Sequence, residues 1–494
     1  MSGSDTVLFS LYVCLLGVLS LFAVHRLRLA LAAGRMQKVC AVPPPEWPRV
    51  LVQLPLYNER YVAQRLIDAV AALDYPADRL SIQVLDDSTD DTTAIVAGRV
   101  AALRERGVAV EHVRRGSRAG FKAGALAVGL ERADAELVAI FDADFVPPAD
   151  FLARVVPYFN DQRIGMVQAR WDHLNRDQSA LTRAQAALLD GHFANEHGGR
   201  FARRCYFNFN GTAGVWRRAC IDAAGGWLSR TLTEDLDLSY RAQLAGWRFL
   251  YAPDIVVPAE IPADVDSFKS QQHRWAQGAV ETAKFLLPEI WSRPSVPLRC
   301  RLEASFHLLG NLAYPLAILL ALMMPLVATI NAPIPGWLWN VMDAGLLFGS
   351  TGSLVAFYLL ALRRVGGRPA DLATLPMTLA LGAGLAINNT IAIVDAFLKR
   401  SQLFTRTPKL GGRDPGEVAA SYVSHAGGMM QALLEIALGL YVVFAAVLTG
   451  LGGRMLMVPF LAIFASGFLL LGVGSLRSRF SRNALTASVL SKRI

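Results

Sequence analysis

The sequence predicts two bodies: an α/β domain on a mostly parallel sheet, and an α-helical transmembrane domain. Three observations carry this. Between residues 48 and 260, short apolar runs alternate with helical patterns, which implies βαβ units. Apolar stretches of membrane-crossing length lie before and after that segment. Hydrophobic residues make up 53% of the 494-residue chain and charged residues only 18%, with a mean hydropathy of +0.35; soluble domains carry more charge.

In order, residues 49–54 read as a strand and 62–73 as an amphipathic helix; 80–85 is a second strand and 92–106 a second helix. Residues 108–113 and 137–141 continue the series. Carboxylates follow two of these strands directly, at Asp86-Asp87 and at Asp142 and Asp144. Open α/β sheets bind ligands at the carboxyl ends of their strands, so both sites are placed for binding.

Val7–Val24 carries no charge, is preceded by no Lys or Arg, and is followed by Arg26, Arg28, Arg35 and Lys38. That is a poor signal peptide and a fair first crossing, with the N-terminus outside and the next domain in the cytoplasm. Pro43-Pro44-Pro45 marks the boundary. Four further crossings are expected near 308–330, 344–362, 427–450 and 455–476, with Trp337 and Trp339 suited to the outer interface and Arg454 in an outer loop. Residues 372–394 are apolar enough to span, yet basic residues flank both ends, and Pro376, Asn388, Asn389 and Asp395 disfavour a lipid-facing helix. The expectation is an interfacial or re-entrant segment and five crossings. The resulting divisions are 1–44, 45–260, 261–302, 303–371, 372–426 and 427–494.

Net charge is +9 and the pI about 9.5, but Lys and Arg flank apolar runs and form no patch interleaved with aromatics. Nucleic-acid binding is excluded on that ground. The five cysteines form no C-x-x-C pair and no disulfide framework, which fits a reducing cytosolic face.

The chemistry-bearing motifs run in one order: Asp86-Asp87, Asp142-Ala-Asp144, Thr233-Glu234-Asp235 and Gln271-x-x-Arg274-Trp275. That series resembles the D, D, D, QxxRW signature of processive family-2 glycosyltransferases, the cellulose-synthase superfamily. Residues 50–60, 83–90, 122–126, 140–145, 167–171, 209–217 and 271–275 are similar to the plant cellulose-synthase-like A and C groups, so the resemblance covers roughly 48–290. It implies a GT-A catalytic domain on the cytoplasmic side and a polymer channel through the membrane helices. It also implies a β-1,4-linked mannan, glucomannan or glucan made from GDP-mannose, GDP-glucose or UDP-glucose.

A nucleotide-sugar donor leaves as a diphosphate, whose departure needs a divalent cation held by carboxylates. Asp142 and Asp144 sit at alternate positions after a strand, where both side chains can serve one Mg2+ or Mn2+ site. A lone D-x-D is usually a solvated turn; here the surrounding motifs decide. Asp86 and Asp87 are candidates for the donor's nucleoside and sugar, while Asp90 and Asp91 suit a helix cap. Pro55, Tyr57 and Glu59 end the first strand and are placed to contact the base. Lys122, between glycines, offers a cation to phosphate. Inverting transfer needs a base for the acceptor hydroxyl. Glu234, Asp235 and Asp237 are all candidates by position, and the resemblance selects Asp235. Arg274 is suited to clamp the diphosphate and Trp275 to stack on an acceptor sugar. By the resemblance, Gln271 joins them and Asn210-Gly211-Thr212 lies near the acceptor end.

Phe404-Thr-Arg-Thr407-Pro-Lys409 resembles the F-x-V-T-x-K gating loop of cellulose synthase, with Arg406 where that pattern has Val. The base motif reads Thr-Glu-Asp where the plant A and C groups have Val-Glu-Asp, and no cyclic-dinucleotide module is expected after the last membrane helix. Glu435 within a membrane helix hints at a polar lumen, though it also lies near the helix end. The partners expected are the donor, the growing polysaccharide and membrane lipid, with room for accessory export proteins. The Ala-, Arg- and Gly-rich composition suggests a bacterial inner membrane. The alternative is a non-processive enzyme that adds one sugar to a glycolipid or polyprenyl phosphate. A transporter without catalysis and a catalytically dead partner subunit fit the filled acidic positions poorly.

Overall fold

The computed structural model describes residues 3–328, 336–398, 409, 411 and 428–491. Seven strands form one sheet: β1 Val50–Leu56, β2 Leu80–Asp86, β3 Val110–Arg114, β4 Leu137–Ile140, β5 Ile164–His173, β6 Gly214–Arg217 and β7 Arg248–Ala259. Their order is β3-β2-β1-β4-β6-β5-β7. The pairs β1–β2, β1–β4, β2–β3 and β5–β7 are parallel, and β6 runs antiparallel to both neighbours. The expected mostly parallel sheet is therefore present, with one reversed strand inside it.

The central strands are continuous apolar runs because helices cover both faces. Val50, Val52 and Leu54 pack into one core layer with Val62, which precedes the helix Ala63–Ala71, and with Leu66 and Ile67 of that helix. Leu51, Val138 and Ile140 face the other layer, with Leu126, Trp216 and Phe249. The reversed β6 has a direct consequence for function. Pairing Ile140 with Gly214 lays residues 210–213 beside the carboxyl end of β4, where the Ala213 amide donates to the Ile140 carbonyl at 2.9 Å.

The helix Val265–Ser292 follows β7 and carries the Gln-x-x-Arg-Trp motif. Asp264 caps it, accepting from the Ser267 amide at 3.0 Å. On one face of this helix, Lys269 forms a buried ion pair with Glu435 at 2.7 Å and donates to Ser475 at 3.2 Å. Gln431 donates to the same carboxylate at 3.0 Å. Glu435 thus faces the helix Val265–Ser292 rather than a polar lumen, because the buried Lys269 of that helix pairs with it.

Among the described residues, six helical stretches are long and apolar enough to cross a bilayer by length and composition. They include Pro369–Leu398, which the flanking charges place at the interface, so the five expected crossings meet six candidates. This stretch is two helices, Leu375–Gly384 and Ala386–Leu398, joined at Leu385. Its polar residues turn inward. Asn388 donates to the Lys269 carbonyl at 3.0 Å, and Asp395 lies 3.3 Å from His273. The objection from lipid-exposed Asn and Asp side chains therefore falls away. Arg454, read as lone charge in an outer loop, is paired with buried Asp343 at 2.6 Å beneath Trp339.

Candidate active site

A cavity of about 680 Å³ opens where the carboxyl ends of β1, β2 and β4 meet the helix Val265–Ser292. It gathers Pro55, Tyr57, Glu59, Asp87, Lys122, Asp142, Asp144, Asn210, Gly211, Glu234, Asp235, Gln271, Arg274, Trp275 and Lys409, residues spread over more than 350 positions of sequence.

At the β1–β2 end, the Arg118 guanidinium lies 3.4 Å from the centre of the Tyr57 ring. Asp87 takes a two-pronged ion pair from Arg115, whose Nε is 2.9 Å from one carboxylate oxygen. Arg115 also donates to the carbonyls of Ala119 and Phe121, at 2.9 and 3.0 Å, and so fixes the turn that leads into Lys122. Asp86 does not reach the cavity. It is 1% exposed and bound to the Ser88 amide at 2.8 Å and His112 at 2.9 Å. Burial pushes its pKa up, but the bonds from His112 and Ser88 outweigh burial and hold it below the usual carboxylate range. Its place is to brace the β2 turn, since the strand's alternation turns Asp86 in and Asp87 out.

The D-x-D turn carries two lysines. Lys122 Nζ is 2.5 Å from Asp142 Oδ1 and 2.9 Å from the Gly211 carbonyl. Lys409 Nζ is 2.5 Å from Asp144 Oδ2. Thr212 is fully buried and accepts from the Asp142 amide at 2.9 Å, so it braces the turn and does not line the cavity. Thr407 lies outside the described residues. Among those residues, no three His, Cys, Asp or Glu side chains gather as a ready-made cation site. The two aspartates nevertheless suit a divalent ion shared with a diphosphate: they already hold cationic charge in the form of two ammonium groups. Two carboxylates also leave the remaining ligand positions to phosphate oxygens.

Asp235 lies in the first turn of the helix Glu234–Leu244, where one carboxylate oxygen accepts from the Leu236 amide at 2.8 Å. Burial first, and then the Glu234 charge beside it, raise its pKa to about 7, against the pull of Lys122. Glu234 is raised too, by burial. Burial opposes the Lys122 charge, but Asp142, Glu234 and Asp235 prevail and hold its pKa up. Arg274 is lowered by burial despite the same carboxylates around it. Gly211 completes this corner at φ +81°, where a Cβ would stand 3.0 Å from the Asp235 carboxylate. Asp237, the rival acid, is fully buried between Arg230 and Arg241, at 2.6 and 2.7 Å, and takes no part in the cavity.

Three cavity-side groups escaped sequence reasoning. Glu260, the residue after β7, pairs with Arg65 at 2.7 Å and accepts from the Gly411 amide at 3.2 Å. Nothing local marks it, because its partners come from distant segments. Arg115 and Arg118 had a signal, the basic run before Gly120, which the motif reading passed over.

The profile of the family described as "Glycosyltransferase like family 2" matches residues 48–278. Glucomannan 4-beta-mannosyltransferase 9 of Arabidopsis thaliana is 32% identical over 445 residues, covering 87% of this chain and 81% of that one. Probable glucomannan 4-beta-mannosyltransferase 11 of Oryza sativa subsp. japonica is 43% identical over 274 residues, covering 54% and 48%. Glucomannan 4-beta-mannosyltransferase 1 of Cyamopsis tetragonoloba is 44% identical over 263 residues, covering 52% and 50%. The chain thus spans about half the length of the latter two. These relatives are plant proteins and lend nothing to the bacterial source read from composition. Among solved structures, mannosyltransferase PcManGT from Pyrobaculum calidifontis, in complex with GDP-Man and Mn2+, superposes with a TM-score of 0.50 at 23% identity. It covers 73% of this chain and 97% of that one, which supports the GT-A fold. The chain belongs to the family-2 glycosyltransferases, in their cellulose-synthase-like branch, with a GT-A domain and a multi-helix membrane region.

Proposed function

We propose that the chain is an inverting, processive transferase that builds a β-1,4-linked mannan or glucomannan from GDP-mannose, with GDP-glucose as a second donor. In this reading the catalytic domain lies in the cytoplasm, as the basic flanks of the membrane helices favour, and the polymer leaves through those helices. The observation that carries it is the Asp235 carboxyl, raised to about 7 in the same cavity as the D-x-D turn and the Gln-x-x-Arg-Trp helix. A base with a pKa near the working pH combines a large deprotonated fraction with useful basicity.

The steps follow from the residues. Tyr57 and Arg118 offer a flat, cationic face for the base, and Pro55 and Glu59 border it. Asp87, fixed by Arg115, meets the ribose or sugar. Asp142 and Asp144 would hold a divalent cation, which supplies charge neutralisation to the departing diphosphate. Lys122, Arg274 and Lys409 bring three further positive charges to the same region, and Arg274 can grip phosphate in two-pronged fashion. Trp275 and Gln271 border the acceptor sugar, with Asn210 and Gly211 opposite. Asp235 takes the proton from the acceptor hydroxyl as its oxygen attacks the anomeric carbon, the bond to the diphosphate breaks on the far face, and the configuration inverts. Glu234 tunes Asp235 through its charge. The GDP-mannose preference rests on the names of the relatives. Its test is a screen of GDP-mannose, GDP-glucose and UDP-glucose on purified protein with Mg2+ or Mn2+, following nucleotide release and enzymatic digestion of the product. Release with UDP-glucose alone would overturn the choice of donor.

A further inference from the structure

The helix that crosses behind the acceptor end of the cavity changes period. Ala180–Asp190 and Gly198–Ala202 are α-helical, but Gly191–His197 between them is a π-helical turn. Such turns insert an extra residue into the helix and re-aim side chains, frequently at functional sites. Here the turn presents His192 to Asn210: the Asn210 side-chain nitrogen and His192 Nε2 are 2.9 Å apart. The other ring nitrogen, Nδ1, is 3.1 Å from the Glu196 carboxylate. Glu196 in turn meets Arg26 of the first membrane helix at 2.7 Å and Arg200 at 3.7 Å.

The polarity of this chain is fixed from its far end. Burial opposes ionisation of Glu196, but Arg26, His192 and Arg200 outweigh it and keep its pKa well below the usual value. An ionised carboxylate only accepts, so His192 Nδ1 carries the proton that faces it. The Asn210 NH2 group is the end turned toward Nε2, and with the ring hydrogen on Nδ1, Nε2 accepts from it. The consequence falls on the amide's other end. Among the described residues, Asn210 Oδ1 is buried without a hydrogen-bond partner, while the residue itself lines the cavity. A buried carbonyl oxygen left without a donor is a destabilising arrangement unless a ligand hydroxyl completes it.

We propose that His192 is a positioning residue for the acceptor: by accepting from the Asn210 NH2 group it holds the Asn210 carbonyl oxygen for a hydroxyl of the acceptor's terminal sugar. This rests on the reading of residues 210–212 as the acceptor end. It assigns to a π-helical histidine a task that the motif residues leave open, which is to choose which end of the Asn210 amide the sugar meets.

The test exploits hydrogen-bond polarity. His192→Gln retains an acceptor oxygen for Asn210; His192→Lys keeps a partner for Glu196 but can only donate, which forces the Asn210 amide to turn over. Nucleotide release from GDP-mannose is measured with and without added β-1,4-linked mannotetraose, giving an acceptor KM and, from acceptor-free hydrolysis, a donor KM. We expect His192→Lys to raise the acceptor KM about tenfold, the loss of roughly one hydrogen bond, with His192→Gln recovering most of it. The donor KM should move less than about twofold in both. Should the lysine prevent folding, His192→Phe, which offers no acceptor, takes its place with the same expectation. Equal acceptor KM values for the Gln and Lys variants, or a parallel rise in both constants, would overturn the inference. Asn210→Ala separates the two levels. If it raises the acceptor KM while the His192 variants agree with each other, only the role of His192 fails. If it leaves the acceptor KM unchanged, the acceptor-end reading fails instead.

Discussion

Asp235→Asn should abolish transfer and yet stabilise the protein, and the pH dependence of that gain is the informative part. The carboxyl is moved from 3.8 to about 7 by burial and by Glu234. At about 1.4 kcal/mol per unit, its ionisation is disfavoured in the folded state by roughly 4 kcal/mol. Glu234 shares that penalty, so removing one member should return roughly 2–4 kcal/mol, more than the weakening of the hydrogen bond from the Leu236 amide, which the Asn carbonyl oxygen still accepts, costs. The sign follows from proton binding. Between pH 3.8 and about 7 the unfolded chain has released this proton and the folded chain still holds it, so stability falls with rising pH across that window and is level above it. An Asn lacks the penalty. Its advantage is therefore complete at pH 8, roughly a third as large at pH 5, and absent below pH 4. Melting of the detergent-purified variant and parent, followed by tryptophan fluorescence, should separate by roughly 5 °C at pH 8 and converge in acid. A variant that melts at or below the parent at pH 8, or whose gain ignores pH, would refute the claim that this carboxyl is held in a desolvated, like-charged site.

Four further outcomes follow. The rate of the parent enzyme should fall about tenfold per unit below pH 7, and Lys122→Met should move that limb alkaline by on the order of one unit, since Lys122 lowers the Asp235 pKa; an unmoved limb would remove Lys122 from the electrostatics of the base. Gly211→Ala forces a Cβ toward the Asp235 carboxylate at φ +81°, and should cost at least about tenfold in kcat together with roughly 1–3 kcal/mol of stability. Asp144→Asn should weaken Mn2+ binding, read by electron paramagnetic resonance on protein with GDP. Lys269→Met strands Glu435 without its cation and should destabilise by roughly 3–5 kcal/mol, most of which Lys269→Met with Glu435→Leu should restore; a double variant no more stable than the single would contradict a buried ion pair.

What the sequence made legible is what repeats locally. The strand runs 49–54 and 80–85 reappear as β1 and β2 within a residue or two, because alternating apolar runs and helical faces are short-range signals. Of the motifs that converge on one cavity, those at Asp87 and Asp142 follow strands whose ends are marked in the sequence, whereas Glu234 and Asp235 open a helix and Gln271, Arg274 and Trp275 lie within another. Long-range partners were not legible. That Asp86 turns inward to His112, or that Glu435 meets Lys269 rather than a lumen, depends on strand and helix contacts with no trace in either neighbourhood. The π-helical turn at 191–197 was equally hidden, since a one-residue slip in helical register leaves composition unchanged. Residues 372–394 mark the limit of hydropathy and charge counting. Asn388 and Asp395 argue against a lipid-facing helix by composition, but they turn inward to Lys269 and His273.

The most direct test of the central claim uses the full chain in detergent or lipid vesicles, supplied with GDP-mannose and Mn2+ or Mg2+, with products resolved by size. The account predicts a polymer that a β-1,4-mannanase digests, formed without added lipid acceptor and lost in Asp235→Asn. A single-sugar product that appears only when a lipid acceptor is added would contradict it.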